Sequence, residues 1–195
     1  IPINTQPTGF TPTLALIKQA CRPDTKAIIL CSPSNPTGMI IPPDELRAIA
    51  QFAKANNLWV MMDEIYRELV YDTEFVPYLR AHDQAKDHTI YISGVSKDYA
   101  MTGWRVGYVC APPALIEGAL KVHQYSILCV PVISQYAAIE ALTNHSSSVS
   151  VMRADYNRRR QFIVAGFNRI GLPTQLPQGA LYCFTDIRPT GLSSE

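Results

Sequence analysis

Neither sign of charge is in excess in this sequence. Its 195 residues carry 17 Lys and Arg against 16 Asp and Glu, a formal net charge of +1, so there is no field to gather a polyanion such as a nucleic acid. One tight basic run, Arg158-Arg159-Arg160, falls in a helical pattern, where a solvated face is the ordinary reading. Paired cysteines are missing too. The five present, Cys21, Cys31, Cys110, Cys129 and Cys183, are odd in number and widely spaced, with no CxxC pair. That argues against a disulfide framework and against a zinc site, and it fits a reducing, cytoplasmic setting. Long apolar runs are also lacking: "AIILC" and "LWVMM" fall far short of the about 20 residues that a membrane span needs, so no membrane partner is expected. No internal repeat or low-complexity tract interrupts the chain. What remains is 47% hydrophobic and 17% charged, enough to bury a sizeable core as a globular protein.

Two kinds of apolar pattern alternate along it. "TLALIKQAC" (13–21) has helical spacing, and "KAIILCS" (26–32) is a continuous apolar run ended by the turn signal "PSNPTG". "PPDELRAIAQFAKANN" (42–57) opens with prolines and early acids and closes on two asparagines, as a helix does, and "LWVMMDE" (58–64) is another strand. After a less regular stretch, "TIYIS" (89–93) and "RVGYVCA" (105–111) supply a third and a fourth strand. From residue 112 the chain reads as helix through "SQYAAIEALTN", then a polar "HSSSVS" (145–150), then a long amphipathic helix to about Gly171, and "GALYCFTDI" (179–187) starts something new. Strands alternating with helices predict an α/β fold with a largely parallel sheet, with a division at 145/146 into residues 1–145 and 146–195.

In an open parallel sheet, ligands sit outside the carboxyl ends of the strands. Just past those ends lie Asn35, then Asp63 with Tyr66 three residues on, then Ser96 and Lys97, with Arg105 eight residues after the lysine. Taken singly each has a plain reading: a turn cap, a helix cap, a half-buried ring, surface charges. An amide, a carboxylate, a phenol, an amine and a guanidinium on one sheet edge form a set that a pyridoxal phosphate cofactor asks for. Its aldehyde needs an amine, its ring nitrogen a carboxylate, its phosphate an arginine with hydroxyl or main-chain donors, and its phenolic oxygen hydrogen-bond donors. A cis Asn35–Pro36 bond, which would place a functional side chain in a tight turn, is a further expectation.

The segments "SPSNPTG", "DEIY" and "SGVSKDYAMTGWRVGY", in this order, resemble the signature stretches of class I/II aminotransferases of fold type I. The likeness extends over most of the chain, through "TPTLALIKQACRPDTKAIILC" before them and "LPQGALYCF" after. It implies a three-layer α/β sandwich with a mostly parallel sheet, residues 1–145 lying in the large cofactor domain and 146–195 forming a connecting helix and the beginning of a small α/β domain. It also implies that Asn35 and Tyr66 contact the phenolic oxygen, Asp63 the pyridine nitrogen, Lys97 the aldehyde, and Arg105 the phosphate. Lys97, Asp63 and Tyr66 are then the catalytic set. Some branches carry a phosphate-binding serine three residues before the lysine; here that position is Gly94, the nearby hydroxyls are Ser93 and Ser96, and Ser96 is the nominated one. Family members have upstream a glycine-rich phosphate loop and downstream an arginine for the substrate carboxylate. Neither is found in this sequence, so an internal fragment, inactive alone, is expected.

The implied substrates are an amino acid and a 2-oxo acid, and the implied assembly is a homodimer with "YSILCVPVISQ" (125–135) near its interface. Two other readings stay open: a carbon-sulfur β-lyase or synthase on the same scaffold, and an aminotransferase-like effector domain of a transcription regulator.

Overall fold

The computed structural model describes residues 1–82, 85–144 and 147–193. Helix α1, Leu14–Ala20, begins where Thr13 Oγ1 accepts from the Leu16 N–H at 3.4 Å. The first free N–H of that helix, on Leu14, goes to Glu45 Oε2 at 2.8 Å. Strand β1 spans Ala27–Cys31, and α2, Pro43–Ala55, follows with Pro43, Asp44 and Glu45 in its first turn. Proline tolerates that position and the acids meet the positive end of the helix dipole. At the other end of α2 the chain turns through Asn57 at φ 52° into β2, Trp59–Asp63. A short α3, Tyr78–Ala81, precedes β3, Thr89–Gly94, and β4 is Gly107–Cys110.

These strands form one sheet in the order β1-β2-β3-β4, parallel from β1 to β3 and antiparallel between β3 and β4. The α/β class with a mostly parallel sheet is as expected. The reversed β4 has a simple cause. The connection from β3 carries turns and a single 3-10 turn at Thr102–Trp104, and without a crossover helix the chain returns alongside the strand it has just left.

Alternate residues sort the sheet into two faces. Ile28 and Leu30, Val60 and Met62, and Tyr91 are buried on one face; on it Ile17 of α1, Leu46, Ile49, Ala50 and Ala53 of α2, and Tyr78 and Ala81 of α3 build the main core. On the opposite face Ile29 is 75% exposed, so α1 to α3 cover one side only.

Beyond the sheet, the helical reading from residue 112 onward is split. Helix α4 is Pro113–Ser126, Leu128 is left-handed at φ 72°, and Pro131 caps α5, Val132–Thr143, because a proline and the residue before it are poor continuations of a helix. Helix α6 runs Ser147–Arg169, and the expected division at residues 145/146 lies outside the described residues. Among the described residues, the segment after α6 holds single bridges, Val70 with Gly179 and Thr174 with Thr185, and a 3-10 turn at Arg188–Thr190. Among the described residues, no helix is long and apolar enough to cross a membrane.

Candidate active site

Cys31 and Asp63 are register partners at the carboxyl ends of β1 and β2. Asp63 Oδ1 accepts from the Ile65 N–H at 2.9 Å, which turns the chain out of the sheet and sets Tyr66 into the interior at 3% exposure. From the neighbouring loop the Pro33 carbonyl accepts from the Cys31 thiol at 3.3 Å; burial pushes that thiol up to about 11, the nearby Asn35 main chain works against the rise, and the Asp63 charge adds to it. Burial, then the hydroxyl of Tyr182, then Cys31 and Asp63 also hold the Tyr66 phenol well above its ordinary range. Asn35, Cys31, Asp63 and Tyr66 therefore share one neighbourhood. The Asn35–Pro36 peptide is cis, as anticipated, and so is Ser32–Pro33.

Past β3, Ser96, Lys97 and Arg105 line one recess of about 350 Å³ with Ile65, Val106 and Gly107. Lys97 is half-buried and Arg105 exposed. Arg105 adopts a left-handed backbone at φ 56°, a conformation that costs a non-glycine residue on the order of 1 kcal/mol, and its Nη1 donates to the Thr102 carbonyl at 2.8 Å. Among the described residues, no hydrogen bond joins Lys97 to Asp63, Tyr66 or Asn35; the shared wall is Ile65, bonded through its N–H to Asp63 and lining the lysine recess.

The geometry separates the nearby hydroxyls. A Cβ on Gly94 would stand 2.9 Å from the Val106 carbonyl oxygen and 3.0 Å from Gly107 Cα, so a serine there would push β4 away. Ser93 is buried and its Oγ donates to the Glu64 carbonyl at 3.4 Å. Ser96 is the serine that reaches the recess.

Sequence reasoning missed the segment that closes this site from the far end of the chain. Gly179 N–H donates to the Gly38 carbonyl at 2.8 Å, Ala180 N–H to Leu69 at 2.8 Å, and Tyr71 N–H to Gln178 at 2.9 Å. Tyr182 thereby reaches Tyr66, and the two hydroxyls share a short hydrogen bond. Its only sequence signal was the family-like "LPQGALYCF", which marks the stretch but not the tyrosine. The same approach explains Gly38: φ is +68°, and a Cβ would lie 2.4 Å from Pro177 Cβ and 2.6 Å from the Gly179 oxygen. We expect Gly38→Ala to destabilise the fold by on the order of 3 kcal/mol, since strain and backbone collision combine; a chemical unfolding curve measures it, and a midpoint equal to that of the parent contradicts the argument.

Two acids are buried close in sequence to Asp63 and Lys97. Glu64 is fully buried, its Oε1 accepting from the Tyr78 N–H at 2.7 Å while its Oε2 has no partner among the described residues. Burial pushes it from 4.5 up to about 7. Asp98, also buried, accepts from the Glu68 N–H at 3.2 Å and lies 3.9 Å from Arg67 Nε, and burial lifts it from 3.8 to about 7. Both groups hold a proton more tightly folded than unfolded. Between about pH 4 and 7 the folded chain thus binds more protons, and its stability falls as pH rises through that window and levels off above it. Glu64→Gln should remove its share, on the order of 2 kcal/mol, from the difference between urea unfolding at about pH 5 and about pH 8. An unchanged difference would mean that Glu64 titrates normally.

The molecule is an α/β protein with an open, mostly parallel sheet that carries an amine, a carboxylate, a phenol and a guanidinium past its strand ends, the edge at which open α/β sheets hold their ligands. Comparison with known proteins gives the class a family. Residues 1–195 match the family model for aminotransferase class I and II. YugH of Bacillus subtilis is 46% identical over the whole of this chain and 51% of its own length, and the aspartate aminotransferase of Pyrococcus abyssi is 40% identical over 92% of this chain and 46% of its own. Among solved structures, a double mutant of Thermus thermophilus aspartate aminotransferase superposes with a TM-score of 0.91 at 37% identity, over 97% of this chain and 50% of that one. The chain belongs to the class I and II aminotransferase family, and it spans about half the length of the relatives it matches.

Proposed function

We propose that the protein carrying this chain is an aminotransferase that moves an amino group between an L-amino acid and a 2-oxo acid, with pyridoxal 5'-phosphate as cofactor. The observation that carries this reading is the gathering of Asn35, Asp63 and Tyr66 at one set of strand ends beside the Ser96–Lys97–Arg105 recess, in a chain of this family. The donor set fits the cofactor. Lys97 supplies a primary amine for its aldehyde, Asp63 a carboxylate for its ring nitrogen, Asn35 and Tyr66 donors for its phenolic oxygen, and Arg105 with Ser96 a charge and a hydroxyl for its phosphate. When bound, the cofactor supplies an electron-withdrawing ring that stabilises negative charge at the substrate's Cα. Lys97 acts as the base that takes and returns the Cα proton. Asp63 would keep a negative charge against the ring nitrogen, and Arg105 would hold the phosphate.

Residues 1–145 belong on this reading to the large cofactor domain, and 146–195 to the connecting helix and the beginning of the small domain. A homodimer is part of the proposal: Tyr125, Ile127, Leu128, Val132, Ile133 and Tyr136 are all exposed, between 64% and 93%, a contiguous apolar stretch of the kind that a partner covers. All five cysteines are free, which supports a reducing, cytoplasmic setting. The test is a product assay on the full-length protein with paired amino acids and 2-oxo acids. Stoichiometric appearance of the new amino acid and the new 2-oxo acid is expected; ammonia release without transfer would assign the lyase chemistry instead.

A further inference from the structure

Two phenols 116 residues apart in sequence meet through their hydroxyls, Tyr66 and Tyr182. Their rings pack edge to face, with centroids 5.5 Å apart and planes at 75°. Neither is free to wander. Tyr66 is buried, and the segment that leads to Tyr182 is pinned by Ala180 N–H on the Leu69 carbonyl and by Tyr71 Oη on the Ala180 carbonyl at 2.7 Å.

A hydroxyl has one proton, so one phenol of the pair donates and the other accepts. The demand on the Tyr66 proton chooses between them. With that proton committed to a ligand oxygen at the strand ends, Tyr66 Oη has only its lone pairs left for the bond between the two phenols, and Tyr182, whose ring otherwise lines a cavity of about 540 Å³, is the member of the pair left to donate. A phenolic proton lies near the ring plane in one of two positions, and a donor arriving on one side of the oxygen leaves the other side for the oxygen's own proton.

We propose that Tyr182 is a positioning residue: its hydroxyl donates to Tyr66 Oη and so turns the Tyr66 proton toward the ligand oxygen at the strand-end site. This rests on the reading that Tyr66 donates to the phenolic oxygen of pyridoxal phosphate. A donor on that oxygen draws off its negative charge, so losing the donor lets the bound chromophore keep its proton to higher pH.

The experiment is a pH titration of the cofactor's visible absorbance in the full-length, cofactor-loaded protein, comparing the parent with Tyr66→Phe, Tyr182→Phe and the double variant. Phenylalanine keeps both rings and their packing, and an unfolding curve for each variant checks that the fold is retained. Tyr66→Phe should raise the midpoint by about half a unit to one unit. Tyr182→Phe should raise it in the same direction by a smaller amount, and the double variant should titrate as Tyr66→Phe does. If Tyr66→Phe shifts the midpoint and Tyr182→Phe does not, the positioning role is overturned while the cofactor reading stands. Additive shifts in the double variant overturn it as well, since Tyr182 would then act without Tyr66. If Tyr66→Phe leaves the midpoint in place, the assignment of Tyr66 fails and the role of Tyr182 fails with it.

Discussion

Lys97→Ala in the full-length protein is expected to abolish the visible absorbance of bound pyridoxal phosphate and the amino-transfer activity together. Reversible attachment of an aldehyde requires a primary amine held in a partly desolvated site. The sequence has six lysines, and Lys18, Lys26, Lys54, Lys86 and Lys121 are all exposed while Lys97 is half-buried. Lys97 is also the one that lines the recess with Ser96 and Arg105. On the proposed reading alanine would remove both the point of attachment and the base, and a surface amine could not replace the two functions. Borohydride reduction followed by peptide mass analysis is the check. The parent should carry cofactor on the Lys97 peptide; cofactor fixed to the alanine variant would overturn the assignment.

Asp63→Ala should lower turnover by on the order of a thousandfold, against about tenfold for Tyr66→Phe. A carboxylate facing a protonated ring nitrogen in a poorly solvated site contributes charge stabilisation of the size seen when a preorganised electrostatic group is lost. The phenol contributes one hydrogen bond, worth about 1 to 2 kcal/mol. The backbone also favours this ranking. Asp63 Oδ1 holds the Ile65 N–H, so the turn that carries Ile65 to the lysine recess depends on the same side chain. Single-turnover rates for the two variants decide the matter, and comparable losses would contradict the ranking.

Much of the site was legible because its residues follow strands that announce themselves. "AIILC", "LWVMM" and "TIYIS" became β1, β2 and β3, and the rule that ligands sit at the carboxyl ends of parallel strands then directs attention to Asp63, Tyr66 and Lys97. The direction of β4 was less legible, since an apolar run carries no sign of orientation; the short, helix-free connection decided it. Nothing in the sequence pattern singles out Glu64 or Asp98. The pleat and the turns bury both, and the position of Arg67 between Tyr91 and Asp98 is a consequence of packing, not of spacing.

By itself the sequence determined the α/β alternation, the strand-end placement of Asn35, Asp63, Lys97 and Arg105, and the family, because each depends on local periodicity, turn chemistry or short motifs. The tertiary structure alone decided that Ser93 is buried away from the recess, why Gly38 must be glycine, and that Tyr182 meets Tyr66. Those outcomes depend on close approaches between segments distant in the chain, with Pro177 against Gly38 and Gly94 against Val106 and Gly107. Steric fit and hydrogen-bond direction are properties of atoms brought together in space, and no local pattern in the chain encodes which distant atoms will arrive.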